Sequence, residues 1–506
     1  MTVEHVDVLV VGAGLSGIGA ACQLRRLVPG LTFAVLEARE RLGGTWDLFR
    51  YPGVRSDSDM FTLGYAFRPW TDRRAIADGA AIREYIADTA REFGVDRAIR
   101  YGHRLVAADF ERSRGRWRVR VERSDGTSTE LTCGFLFACT GYYRYDRGHT
   151  PDLPGREGFG GRVVHPQHWP QDLDVAGRRV AVVGSGATAV TLVPALAERG
   201  ASVTMVQRSP TWIASLPSTD RRAGRWPHRL VRARRIALGA ASYKLARRAP
   251  RYFGGKLLQA ARELLPEGYD MAHFTPRYAP WDQRLCAVPD ADLFRAIGSG
   301  AAEVVTGAVR GFTREGLRLA DGREVPADVV VTATGLSVSL FDGVRLSVDG
   351  EGVDVARSVV YKGAMLSGVP NFAFAFGYTN ASWTLKVGLV TEFVCRLLLR
   401  MRRTGATTAT PQAPPDPGRA PLIDLASGYV RRGAAALPSQ GTRTPWRLHQ
   451  DYLRDVVLLR HRRVADRGLE LSTAPLAGLP DPGAPEHPEP TRDSERPAAE
   501  PAGAPR

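Results

Sequence analysis

The sequence has few cysteines, and no two of them are spaced as a redox or metal-binding pair. The 506 residues include five cysteines; none forms a C-x-x-C pair and none lies beside clustered histidines. They are Cys22, Cys133, Cys139, Cys286 and Cys395. Structural zinc sites and disulfide frameworks need paired or clustered cysteines. We therefore expect no metal site and no disulfide, which fits a reducing cytoplasm.

The sequence also lacks a long apolar run and a secretory signal. No stretch of about 18 uninterrupted apolar residues occurs, so no membrane span is expected. Residues 1–12 carry acids where a signal peptide needs positive charge, and glycine interrupts their apolar run. A chain of this length is too long for one ordinary core, so two or three lobes are expected.

Acidic residues are absent from residues 221–262, which carry thirteen Lys or Arg. Most of the formal charge of +16 is therefore local. The favoured interpretation is a basic, solvated helical face that covers part of an active site. The alternative is weak association of a cytoplasmic protein with a membrane surface through this stretch. Nucleic-acid binding is not expected, because no recognised binding module accompanies the charge. The sequence does not indicate the oligomeric state.

A glycine-rich motif follows the first predicted strand, residues 8–11. Its G-x-G-x-x-G spacing is formed by Gly12, Gly14 and Gly17. Such glycines allow a tight turn, close approach of a pyrophosphate and packing of the next helix, here predicted over residues 15–27. The second predicted strand, residues 32–36, ends in Glu37, where a carboxylate binds ribose hydroxyls and repels a 2′-phosphate. The motif predicts an unphosphorylated adenosine, as in FAD or NAD.

A second motif of this kind follows the predicted strand 179–183. It reads Gly184-x-Gly186-x-x-Ala189, and its second strand, residues 202–207, ends in Arg208 and Ser209 instead of an acid. A guanidinium at this position can pair with a 2′-phosphate. The second site is therefore predicted to bind NADPH.

Residues 159–170 lie between the two motifs and follow the pattern F-x-G-x-x-x-H-x-x-x-W-P. Its defining residues are Phe159, Gly161, His165, Trp169 and Pro170. We expect this connector to set how the two nucleotide lobes meet, with His165 in a hinge or NADP-positioning role and not in proton transfer. Residues 43–57 are dense in Gly, Trp, Tyr, Pro and Asp, a composition that here favours a ligand-lining segment.

Together these motifs, with G-x-W-x-x-x-x-Y-P-G-x-x-x-D at residues 44–57, resemble type I Baeyer–Villiger monooxygenases, which depend on FAD and NADPH. Residues 55–64, 280–286 and 377–386 are similar to the subgroup that contains the ethionamide-activating monooxygenase. The resemblance covers about residues 5–470. It implies insertion of one oxygen atom from O2 into ketones through a C4a-peroxyflavin, giving esters or lactones, and oxidation of sulfides or thioamides at sulfur.

The resemblance also implies catalytic residues. Arg284 would stabilise negative charge on the reacting oxygens, because an arginine stays protonated and suits electrostatic stabilisation. Asp57 would hold Arg284 in position. A structural ion pair between lobes is the alternative for these two residues. Many family members have lysine just before this arginine to help hold the NADP phosphate. This chain has Gln283, so its preference for NADPH over NADH could be weaker.

The residues expected to bind the cofactors occur in two groups. The first is Gly12, Gly14, Ser16, Gly17, Glu37, Thr45, Trp46, Asp47, Leu48, Arg55, Ser56, Asp57 and Val106. The second is Gly184, Ser185, Gly186, Ala187, Thr188, Ala189, Arg208 and Ser209.

The predicted fold is α/β, with two doubly wound, Rossmann-like dinucleotide-binding domains and an inserted helical subdomain. The predicted boundaries are 1–150 and 333–473 for the FAD-binding domain, 151–210 and 280–332 for the NADP-binding domain, 211–279 for the helical insert and 474–506 for a disordered tail. Within the second part, the proline-rich residues 407–421 are expected to form an exposed loop.

Three other functions compete with the Baeyer–Villiger prediction. The first alternative is a flavin-containing N- or S-monooxygenase with little activity on ketones. A disulfide reductase is disfavoured because no cysteine pair lies near the flavin segments. A redox-inactive interaction protein on this fold is disfavoured because Asp57 and Arg284 are both present.

Overall fold

The computed structural model describes residues 3–473, and the predicted disordered tail, residues 474–506, lies outside the described residues. The larger of its two main sheets has nine strands. Eight of them follow one another across the sheet in the order Glu351–Gly352, Arg345–Val348, His103–Glu111, Arg116–Arg123, Ser128–Ala138, Glu4–Val11, Phe33–Leu36 and Ile99–Arg100. The ninth, Phe372–Phe374, pairs with Ser128–Ala138.

The centre of the nine-stranded sheet is parallel. Glu4–Val11 pairs in parallel with Phe33–Leu36 on one side and with Ser128–Ala138 on the other. The carboxyl ends of these three strands therefore meet at one edge, which is where open α/β sheets bind nucleotides. An antiparallel hairpin, His103–Glu111 with Arg116–Arg123, extends the sheet beyond Ser128–Ala138.

The smaller main sheet has five strands, all parallel. Their order is Ala302–Thr306, Ser202–Gln207, Arg179–Val183, Val329–Thr332 and Arg162–Val164. Val329–Thr332 is buried at every position, as expected of a strand covered on both faces. The predicted α/β fold class is thereby confirmed.

The α-helices complete the layers around the sheets. Their bounds are Leu15–Leu27, Thr45–Leu48, Met60–Leu63, Gly79–Glu92, Ala187–Ala197, His228–Arg248, Pro250–Leu264, Asp292–Gly298, Trp383–Thr404, Gly428–Gly433 and Tyr452–Asp455. The first of them is buried from Leu15 to Leu24 and packs against Trp383–Thr404. This contact joins the start of the chain to its last third. Within residues 3–473, no helix is both long and apolar enough to cross a bilayer.

Four strand pairs and one three-stranded sheet lie outside the main sheets. They are Ile213–Leu216 with Cys286–Pro289, Val309–Thr313 with Gly316–Leu319 and Glu324–Pro326, Val360–Tyr361 with Met365–Leu366, Thr408–Pro411 with Leu469–Ser472, and Ala420–Pro421 with Ser439–Gln440. The expectation of an exposed loop over 407–421 is wrong at its start. Thr408 and Ala409 are buried there, because the strand pairs along Leu469–Ser472.

The basic stretch 221–262 forms two helices, and some of its charge is neutralised. Arg235 pairs with Asp220, and Arg247 pairs with Asp282. Along His228–Arg248, the side chains of Leu230, Leu238 and Leu245 are exposed. The surface thus combines unpaired positive charge with apolar side chains.

Candidate active site

A cavity of about 670 Å³ lies where the carboxyl ends of the two parallel sheets face each other. It is lined by both glycine-rich turns and by the predicted catalytic pair. The predicted residues on its wall are Gly14, Ser16, Thr45, Trp46, Ser56, Asp57, Gly184, Ser185, Gly186, Ala187, Thr188, Arg208, Ser209 and Arg284. The fold therefore brings most of the predicted site together.

The first glycine turn has the geometry that a pyrophosphate site needs. Gly12 has φ +102°, a conformation that side chains rarely adopt. A methyl group on Gly17 would lie 1.7 Å from the Gly12 carbonyl oxygen, so only glycine lets helix Leu15–Leu27 approach the strand. No side chain caps this helix at Gly14. Its first N–H groups remain available to a phosphate.

The second turn repeats this arrangement. Gly184 has φ +138°, and a methyl group there would lie 2.3 Å from the Ala333 carbonyl oxygen. Nothing lies within 4 Å of the position that a side chain on Gly186 would occupy, so the backbone is open to the cavity. No side chain caps the helix Ala187–Ala197. Both turns thus fit the phosphates of a dinucleotide.

Glu37 directly follows the strand Phe33–Leu36, as predicted, but it is buried and does not line the cavity. Its carboxylate accepts hydrogen bonds from the Ala13 N–H at 2.8 Å and the Arg39 N–H at 3.0 Å. Burial raises the pKa of Glu37. Each carboxylate oxygen has a second lone pair. The group can therefore accept a ribose hydroxyl in addition to these two bonds.

Several predicted cofactor residues do not line the cavity: Gly12, Gly17, Glu37, Asp47, Leu48, Arg55, Val106 and Ala189. Asp47 is buried and pairs with three arginines, Arg39, Arg50 and Arg83. This carboxylate fixes the chain behind Thr45 and Trp46. Val106 lies at a register shift in its strand. A direct role in binding stays a prediction for these residues.

The segment that carries Asp57 joins the two sheets physically. Tyr51 is buried in the core of the five-stranded sheet. Gly53 packs so closely on the helix Ala187–Ala197 that a methyl group would lie 2.7 Å from the Ala195 side chain. The Arg55 guanidinium donates to Asp292 at 2.5 Å. Asp57 is therefore held at the boundary between the lobes.

Arg284 and Asp57 meet in the cavity, although 227 positions separate them. Arg284 Nε lies 2.8 Å from Asp57 Oδ2, and Arg284 Nη2 donates to Asp57 Oδ1 at 3.0 Å. A two-point contact of this kind fixes the plane of the guanidinium. The Asp57 carboxylate raises the pKa of Arg284, so the arginine is a permanent cation. Both residues line the cavity, so the pair faces this space as well as joining the lobes.

Aromatic side chains around this pair were not predicted from the sequence. Tyr142 stacks on Trp383 with ring centres 5.2 Å apart, and Tyr143 stacks on Tyr145 at 5.5 Å. All four line the cavity, as does Tyr429. Three tyrosines within residues 142–145, directly after a strand that ends at the cofactor edge, are a signal that could have identified this wall.

None of the connector residues, 159–170, lines the cavity. Phe159 and Trp169 are buried. A methyl group on Gly161 would lie 2.3 Å from the Asp328 carbonyl oxygen. His165 Nδ1 accepts from the Gln167 N–H at 3.1 Å, and burial lowers the pKa of His165 to about 4. A neutral, packed imidazole agrees with a positioning role, which stays a prediction, as does any role of Pro170.

All five cysteines are buried and unpaired. Two of them, Cys139 and Cys286, line the cavity, and burial raises the pKa of Cys286 to about 12. A thiol with so high a pKa stays protonated near neutral pH, whereas dithiol chemistry needs a thiolate. The described residues therefore contain no reactive cysteine pair.

Comparison with known proteins gives three findings. Residues 6–244 match the family model described as pyridine nucleotide-disulphide oxidoreductase. FAD-containing monooxygenase EthA of Mycobacterium tuberculosis strain H37Rv is 51% identical over 483 residues, covering 93% of this chain and 99% of the relative. EthA of Mycolicibacterium smegmatis is 48% identical over 480 residues, covering 93% and 97%.

Solved structures share the fold at lower identity. A steroid monooxygenase bound to NADP is similar with a TM-score of 0.73 and 22% identity, covering 93% of this chain and all of that chain. An open structure of cyclohexanone monooxygenase is similar with a TM-score of 0.71 and 19% identity over the same shares.

Proposed function

The chain belongs to the family of FAD-containing monooxygenases, and from this membership we propose that it uses NADPH and O2 to insert one oxygen atom into ketones, giving esters or lactones. Oxidation of sulfides or thioamides at sulfur is a second activity of the same site. The observation that carries the proposal is the Arg284–Asp57 pair, because it places a fixed cation in a cavity that both glycine-rich turns reach.

The chemistry of the two turns supports one cofactor at each. FAD supplies oxygen activation and transfer after reduction by NADPH. Gly14 and the uncapped helix Leu15–Leu27 would hold its pyrophosphate, with Glu37 at the ribose. Gly184, Gly186 and the uncapped helix Ala187–Ala197 would hold the pyrophosphate of NADPH.

Arg284 stabilises negative charge at the reacting atoms. Attack on a ketone places charge on the former carbonyl oxygen, and a preorganised cation stabilises that charge more than it stabilises the neutral ketone. Asp57 fixes the guanidinium through its two contacts and keeps it from swinging toward other acceptors. An arginine cannot protonate the reacting oxygen prematurely, because its pKa lies far above neutral pH.

The aromatic wall keeps water away from these charges. Tyr142 and Trp383 form a stacked pair, and the Trp383 Nε1–H donates to the Ser16 hydroxyl at 2.9 Å. This bond ties the start of helix Trp383–Thr404 to the first glycine turn. Electrostatic interactions are stronger in such a site than in bulk water.

The experiment is product analysis with purified, FAD-loaded protein and NADPH. Linear, cyclic and aryl ketones are offered in parallel with thioethers, and product mass and structure are determined. We expect esters or lactones from at least one ketone class and sulfoxides from thioethers. Sulfoxides without any ester would favour a flavin-containing N- or S-monooxygenase instead. A protein that takes up no FAD would contradict the proposal altogether.

A further inference from the structure

The cavity contains an arginine that the sequence motifs do not assign. Arg432 belongs to the short helix Gly428–Gly433, near the end of the described chain, and lines the same cavity as Arg208. Arg208 follows the strand Ser202–Gln207, more than two hundred positions earlier. Two guanidinium groups from distant parts of the chain thus face one space.

The helix that carries Arg432 is firmly packed. Val430 is buried in the core of the nine-stranded sheet. Gly433 lies so close to Val338 that a methyl group would come within 2.7 Å of its Cβ. Arg432 Nη2 would lie 3.5 Å from a methyl group on Gly335, the turn that follows strand Val329–Thr332. The Arg432 guanidinium therefore lies over the edge of the five-stranded sheet at which the second glycine-rich turn is located.

Arg208 and Arg432 have no carboxylate partner in the part of the chain that the structure describes. Within residues 3–473, no carboxylate forms an ion pair with Arg208 or Arg432, although Arg284 in the same cavity has Asp57. Burial, and then the Arg208 charge, lower the pKa of Arg432. A like charge nearby disfavours the charged form of each arginine, and an anion bound between the two would favour it.

The neighbouring position explains why a second cation is useful. Gln283 also lines the cavity but carries no charge. A phosphate monoester carries about two negative charges near neutral pH, more than one guanidinium neutralises. Ser209 adds a hydroxyl on the same wall.

We propose that Arg432 and Arg208 together bind the 2′-phosphate of NADPH, so that Arg432 supplies the second positive charge that Gln283 does not. This inference rests on the proposed function, since it assumes NADPH at the second turn. It implies that the chain prefers NADPH to NADH through a residue of its C-terminal part, which lies close to the cofactor only in the folded protein.

The test is calorimetric binding of NADP⁺ and NAD⁺ to FAD-loaded wild type and to Arg432→Gln. Both ligands carry the pyrophosphate, so their difference isolates the 2′-phosphate. A charge-assisted contact contributes enough that the variant should bind NADP⁺ about 10- to 100-fold more weakly, with NAD⁺ affinity changed less than about threefold. Arg431→Gln is the matched control, because Arg431 is on the same helix, is exposed and does not line the cavity.

The outcomes separate this inference from the proposed function. In one outcome wild type prefers NADP⁺ while Arg432→Gln weakens the binding of both ligands equally, or leaves the binding of both unchanged. In either case the inference is overturned and the proposed function stands. If wild type binds neither dinucleotide, the proposed function fails as well. If Arg432→Gln loses its FAD, Arg432→Lys and Arg208→Lys are measured in its place. Arg432→Lys keeps the charge and should retain an intermediate preference for NADP⁺ over NAD⁺. A preference equal to that of wild type in both lysine variants would overturn the inference.

Discussion

Replacing Asp455 with asparagine should destabilise the protein strongly, because it leaves a buried lysine without its counter-ion. Lys386 Nζ lies 2.9 Å from Asp455 Oδ2, and the two side chains are 3% and 2% exposed. The Tyr378 hydroxyl donates to the same carboxylate oxygen at 2.6 Å. The pair ties the helix Tyr452–Asp455 to Trp383–Thr404, whose first turn lies at the cavity.

The magnitude follows from the burial of both charges. Removing one partner of a buried ion pair costs about 3–5 kcal/mol, because the remaining charge is desolvated without compensation. Burial already lowers the pKa of Lys386. In Asp455→Asn that pKa falls further, so the folded state binds the lysine proton less readily than the unfolded chain does. The stability of the variant should therefore rise with pH toward the ordinary lysine pKa.

The assay is thermal unfolding, monitored by the rise in FAD fluorescence as the cofactor is released. A loss of this size predicts a midpoint lowered by roughly 5–10 °C. Asp451→Asn is the matched control on the same helix: it caps the helix N-terminus, and asparagine caps equally well, so we expect a change below about 0.5 kcal/mol. The double variant Lys386→Met/Asp455→Asn, in which the amide oxygen can still accept from the Tyr378 hydroxyl, should recover most of the stability. A single-variant loss below about 1 kcal/mol, or no recovery in the double variant, would refute the reasoning.

Two further predictions concern the connector and the basic surface. Burial lowers the pKa of His165 to about 4, so the unfolded chain takes up a proton below about pH 6.5 and the folded protein does not; stability should fall by up to about 3 kcal/mol between pH 7 and pH 4. In His165→Asn the urea midpoint should depend less on pH, and an unchanged slope would be evidence against this origin. Leu238→Ser/Leu245→Ser should reduce sedimentation with phosphatidylglycerol vesicles at least about tenfold if the exposed leucines insert. Wild-type protein that does not sediment would leave only a solvated basic face.

The parts of the site that could be predicted from the sequence are those built from neighbouring residues. Gly12, Gly17 and Gly184 occupy positions that only glycine tolerates, so their spacing in the sequence predicts the geometry of the turns directly. The strands that lead into the two turns bury the side chains next to those turns, and they are therefore continuous apolar runs in the sequence. Local chemistry and fold agree at these points.

The parts that could not be predicted depend on contacts between distant segments. Lys386 and Asp455 are 69 positions apart, and neither stands in a pattern that marks burial. Arg432 has no motif around it, and it reaches the cavity only because the core holds its helix there. The strand Thr408–Pro411 could not be predicted because its proline-rich sequence suggests a loop, whereas proline is tolerated on a short edge strand.

The proposed role of Arg284 is tested by separating reduction of FAD from oxygen transfer in Arg284→Ala. We expect stopped-flow reduction by NADPH to stay within about threefold of wild type, while ester formation falls about 10²- to 10³-fold, the usual loss when one stabilising group at a developing oxyanion is removed. Arg247→Ala, which removes an exposed arginine paired with Asp282, should leave both rates unchanged. Ester formation by Arg284→Ala at close to the wild-type rate, with FAD bound, would contradict the assignment.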